Sequence, residues 1–89
     1  MSDRYIVHYL VNSILTCSLE NLTAEDAYKN AIPTEALLPI EGNRWHVLMK
    51  YPTILSFPGL HPGSRIRVAY QEPSPNPEAE TEEMFIEKM

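Results

Sequence analysis

The run Arg4-Tyr5-Ile6-Val7-His8-Tyr9-Leu10-Val11 constrains the fold more than any other stretch of the chain. β-branched and aromatic residues dominate it and neither Gly nor Pro interrupts it, which suits a pleated, half-buried surface better than a helix. Alternation puts Tyr5, Val7, Tyr9 and Val11 on one face and Ile6, His8 and Leu10 on the other. Both faces are largely apolar, so the strand is expected at the centre of a small sheet, covered on both sides or paired on both edges.

The neighbouring sequence supplies partners for it. Asn12-Ser13 offers a two-residue turn into Ile14-Leu15-Thr16-Cys17-Ser18-Leu19, again strand-like, which predicts a hairpin. Thr23 then stands three residues before Asp26, close to a capping box, with Leu22 and Ala27 in the staple positions. Ala24, Ala27, Tyr28 and Ala31 follow the spacing of one buried helix face. Glu25 and Lys29 form an i,i+4 pair in the favourable order on the opposite face. Pro33 ends that helix near Ala31. At about two turns it is not stable alone and must dock on the sheet.

Thr34 to Leu38 reads either as another short helical turn or as an extended approach to the next strand. Gly42-Asn43 makes a turn, and Arg44 to Tyr51 reads as a strand with Trp45, Val47 and Met49 on its core face. Pro52 blocks a central ladder beyond it. Residues 52–64 hold Pro52, Pro58, Gly59, Pro62 and Gly63, the composition of a stiff loop. Ile54, Leu55, Phe57 and Leu60 are too apolar for a freely solvated one, so it is expected to pack back as a lid or as a partner surface. Ser64 to Tyr70 alternates clearly, with Ile66, Val68 and Tyr70 facing one way and Arg65, Arg67 and Ala69 the other.

Charge divides the chain unevenly. The net charge is −5. Residues 1–71 carry equal numbers of acids and bases, so the whole excess lies in residues 72–89, where Lys88 is the sole base. There Pro73, Pro75 and Pro77 make an extended, semi-rigid spacer, followed by acids and the apolar end Met84-Phe85-Ile86-Glu87-Lys88-Met89. The expected fold is therefore α+β: a small antiparallel sheet of about four strands with one short helix on a face, in the order β-β-α-β-β, over residues 1–71. Residues 72–89 are expected to form an acidic tail, disordered or docked on a partner. Arg65 and Arg67 offer the tail an alternative anchor on the protein itself.

At 89 residues the chain has room for one core and buries only roughly 60–65% of its unfolded surface. No apolar stretch approaches the roughly 20 residues of a spanning helix, so no membrane partner is expected. Met-Ser-Asp-Arg leads straight into the first strand without a positive n-region, and Cys17 is alone. Both features suggest a cytoplasmic protein.

Groups able to carry chemistry are few. Cys17, His8, His46 and His61 are the only soft ligands or nucleophile-and-base candidates, and they fall on different predicted strands or in the loop. No pair has the two-to-five-residue spacing of zinc ligands, and the scattered glycines form no phosphate cradle. Catalytic residues, metal and cofactor are therefore all expected to be none. What remains is contact. The chain is expected to be a non-enzymatic inhibitor or adaptor of a larger protein (of a host enzyme, if the source is viral). Its partner-binding residues would be Phe57, Leu60 and His61 in the loop, Arg65 and Arg67 on the sheet, and Met84, Phe85, Ile86 and Met89 in the tail. One alternative is a single-stranded nucleic-acid binder using Arg65, Arg67 and sheet aromatics, although a neutral body with an acidic tail lacks the positive excess that phosphate demands. Another is a self-associating structural subunit, such as a homodimer.

Overall fold

The computed structural model describes residues 3–48 and 61–89. Its strands are β1 (Tyr5–Val11), β2 (Ile14–Leu22), β3 (Trp45–Val47), β4 (Arg65–Gln71) and β5 (Glu82–Lys88), with helices α1 (Ala24–Ala31) and α2 (Thr34–Leu37) between β2 and β3. All five strands join one sheet in the order β2-β1-β5-β4-β3, and every neighbouring pair is antiparallel. The α+β expectation stands, with five strands rather than about four and with a second helix of one turn.

The β1–β2 hairpin follows from its turn. Asn12 and Ser13 both have positive φ, 52° and 66°, the handedness that matches the twist of the flanking strands. Thr23 caps α1 as expected, its hydroxyl accepting the Asp26 N–H at 3.2 Å. Ala27 and Ala31 are fully buried, and their small side chains let the helix lie close on β1 and β5. Thr34–Leu37 takes the helical alternative as α2, closed by the Leu38 N–H on the Glu35 carbonyl at 3.3 Å. Of the strand expected over Arg44 to Tyr51, Trp45–Val47 is strand, while Arg44 and Leu48 on either side of it are not. Met49 and the 52–60 part of the loop lie outside the described residues.

The main correction concerns the C-terminus. Residues 82–88 are not a disordered or partner-docked tail; they are β5, the middle strand of the sheet, hydrogen-bonded to β1 on one side and β4 on the other. β1 is interior, but the centre belongs to β5. The proline-rich segment is the link between β4 and β5, and Arg44 ties both its ends, donating from Nε to the Glu72 carbonyl and from Nη2 to the Glu80 carbonyl, each at 3.0 Å. Asn12 closes the same end of the sheet, its Oδ1 accepting the Thr81 N–H at 3.0 Å.

Residues opposed in an antiparallel pair share a face, so register sorts the side chains. Val7 lies opposite Ile86 and Tyr9 opposite Met84, with Ile66 opposite Ile86 and Ala69 opposite Met84 on the other flank. Together with Trp45 and the alanines of α1 they form the core between sheet and helix. Ile86 and Val68 are the largest fully buried side chains, and burying such a side chain contributes about 1.5–3 kcal/mol. β4 departs from simple alternation. A register shift between Arg67 and Ala69 turns Ala69 into the core and puts Tyr70 on the arginine face, the reverse of the expected arrangement. An extra residue in one strand exchanges the faces of everything beyond it.

Candidate functional site

β2 is an edge strand. It pairs with β1 on one side, and no described strand lies on the other. Eight of its nine residues are exposed, among them Ile14 at 70%, Leu15 at 52% and Leu19 at 44%. Leu19 lies opposite Val7 and Leu15 opposite Leu10, so apolar side chains stand on both faces of the same strand. The register slips twice along the hairpin, around Thr16 and around Glu20-Asn21, with Asn21 at φ 59°. Such bulges twist an edge and are one way that sheets discourage stray pairing. The other usual guards, Lys and Pro, are missing from β2, and Glu20 is its only charge. An outward row of backbone donors and acceptors flanked by Ile14, Leu15 and Leu19 is a template for an added strand.

The face of the sheet away from α1 carries a polar chain across four strands. His8 lies only 5% exposed on β1. Its Nδ1 is 2.8 Å from Ser18 Oγ on β2, and its Nε2 is 2.9 Å from Glu87 Oε1 on β5. Arg65 of β4 donates from Nε to the same Glu87 oxygen at 2.8 Å. Hydrogen bonds from Arg65 first, and then from His8, hold the Glu87 carboxyl below its ordinary range. Alongside, Arg67 donates to Glu83 at 3.3 Å and lies 4.3 Å over the Tyr70 ring. His46 stacks on the other side of the set, 5.2 Å from Tyr70 between centroids, and contacts Glu72.

Ser18, His8 and Glu87 occur in the order of a nucleophile, a base and an orienting acid. The geometry favours a different role. Glu87 is shared with Arg65, His8 is buried, and neither Ser18, His8 nor Glu87 lines any of the clefts described at the surface. The chain stitches β2 to β1, β5 and β4, and a buried histidine satisfied at both nitrogens is what such a stitch requires. Cys17 sits opposite Tyr9, on the other face from His8. No family model, curated protein or solved structure matches the chain.

The residues singled out in the sequence fall in different places. Phe57 and Leu60 lie outside the described residues. His61 is exposed beside β4. Arg65 and Arg67 do share a face, and each is matched by a β5 carboxylate, the self-anchoring that the sequence offered as an alternative. Met84 and Ile86 are buried in the core, so in this fold they do not meet a partner. Phe85 is half-buried on the polar face between His8 and Arg67. Met89 is exposed, while its N–H bonds the Arg4 carbonyl at 2.9 Å. The exposed edge was missed. Its signal was present in Ile14 to Leu22, a strand-like run without Lys, Arg or Pro, but a run of that kind also fits an interior strand.

Proposed function

We propose that the protein works by contact rather than by turnover, as a small non-enzymatic inhibitor or adaptor that binds a larger protein through the outer edge of β2. The observation that carries this reading is the exposure of Ile14, Leu15 and Leu19 along a strand whose outer edge has no partner among the described residues. A partner segment adding to β2 would satisfy the outward backbone groups and cover those three side chains together, with backbone bonds supplying affinity and side-chain pockets supplying choice. Cys17 is a free, exposed thiol, which suits a reducing compartment such as the cytoplasm. Nucleic-acid binding through Arg65 and Arg67 finds little support, because Glu87 and Glu83 already neutralise them.

The test is a comparison of immobilised wild-type protein with the double variant Leu15→Lys, Leu19→Lys in extracts of the native cell. Both lysines are the guards that edge strands ordinarily carry. One stoichiometric partner is expected on the wild type and none on the variant, with the two proteins equally folded by circular dichroism. Equal retention by both would overturn the reading. Sedimentation of the purified protein at two concentrations separates a second copy of this chain from a different partner.

A further inference from the structure

The irregularities of β2 are placed evenly along it. The strand runs from Ile14 to Leu22, so its midpoint is Ser18. Pairing with β1 is regular at Cys17, Ser18 and Leu19, opposite Tyr9, His8 and Val7, and it slips at Thr16 on one side and at Glu20-Asn21 on the other. Both slips therefore begin two residues from Ser18. A straight strand laid along the outer edge would meet an interruption at each. A strand with the same irregularities at the same distances, running the other way, would not.

The side chains repeat that symmetry. Turned about Ser18 in antiparallel register, Cys17 falls opposite Leu19 and Ile14 falls opposite Leu22. All four belong to the α1 face, because they lie opposite Tyr9, Val7, Val11 and Tyr5 of β1 and opposed residues share a face. Glu20, the only charge on the strand, falls opposite Thr16 rather than opposite itself, so no like charges are brought face to face.

We infer that the occupant of this edge in the free protein is a second copy of the chain, paired β2 to β2 in antiparallel about a two-fold axis at Ser18. The contact is isologous and closed, so it stops at a dimer. Two five-stranded sheets then continue as a single sheet, with both α1 helices on one side of it. The inference rests on the reading of β2 as the contact edge and adds its regulation: the dimer masks the surface that a larger partner needs, and that partner must displace the second copy. The net charge of −5 on each chain opposes the pairing, which keeps it weak enough to be displaced.

Cys17 is the only cysteine, and it reads the register. In this pairing the two Cys17 residues are diagonal neighbours across the seam, roughly 7–8 Å apart, which a short bismaleimide spans. Sedimentation velocity of the purified protein is expected to show monomer and dimer exchanging with concentration. The dimer should strengthen several-fold as added salt screens the like charges. Bismaleimide is expected to link the dimer in the wild type but not in Cys17→Ser, which still sediments as a dimer. Leu19→Lys should weaken association about tenfold and lower the cross-linking with Cys17 untouched. Ile14→Lys, at the most exposed apolar side chain of β2, serves in its place if that variant unfolds. A wild type that stays monomeric at every concentration and salt, or a dimer undiminished by Leu19→Lys and Ile14→Lys, would overturn the inference. A monomer that still captures a partner through β2 removes the dimer alone, and a β2 dimer that captures no partner removes the larger-protein reading alone.

Discussion

Glu87 is the residue on which the polar face converges, since it accepts from both Arg65 and His8. Those bonds lower its pKa from the ordinary 4.5, so the folded state favours the ionised form. The resulting stability is complete above the unfolded carboxylate pKa and is lost as pH falls through the lower folded value. Glu87→Gln should therefore destabilise the protein near neutral pH and flatten the acid limb of a plot of Tm against pH; an unchanged acid limb would show that Glu87 is not so held. Tyr9 has the opposite sign. Its hydroxyl is raised from 10.0 to about 12 by its bond to Glu82, so its contribution is complete below pH 10 and fades as pH climbs through the folded value. In an ultraviolet titration a limb near pH 12 should be present in the wild type and disappear in Tyr9→Phe, and its survival in the variant would contradict the assignment.

Among the elements, β5 matters most, and it was the least legible in the sequence. Hairpin and capped helix were readable because their signals are local: a two-residue turn at Asn12-Ser13 and a Thr23 hydroxyl within reach of its own first turn. β5 depends on partners far away along the chain. Glu82, Glu83 and Glu87 read as solvated acids until Tyr9, Gln71, Arg67, Arg65 and His8 are brought beside them, and three prolines in the preceding link imitate the start of a disordered tail. The faces of β4 were misjudged for a related reason, since the irregularity between Arg67 and Ala69 leaves no mark in an alternating sequence. The chain cut after Thr81 makes the difference measurable. Without Met84, Ile86 and the ladder partner of both β1 and β4, it should lose its cooperative thermal transition, whereas a dispensable tail would leave that transition in place.

At the scale of the molecule, an acidic chain spends its acids inward as well as outward. β5 carries Glu82, Glu83 and Glu87 into contact with the flanking strands, and Lys88 reaches Asp3 at 3.5 Å, so the C-terminal charge excess is partly structural. Among the described residues, the sheet's two edges are unequal. Beyond β4, Trp45 anchors the short strand β3 in the core, whereas β2 presents nine residues of strand with little of it covered. The proposed contact surface lies at a different address from the one expected: residues of the expected tail are core, and the hairpin edge is the candidate surface. Hydrogen–deuterium exchange with and without the captured partner examines that address most directly. Partner binding should slow exchange at the amides of Ile14 to Leu22, and protection confined to other segments, with β2 exchanging as it does in the free protein, would contradict it.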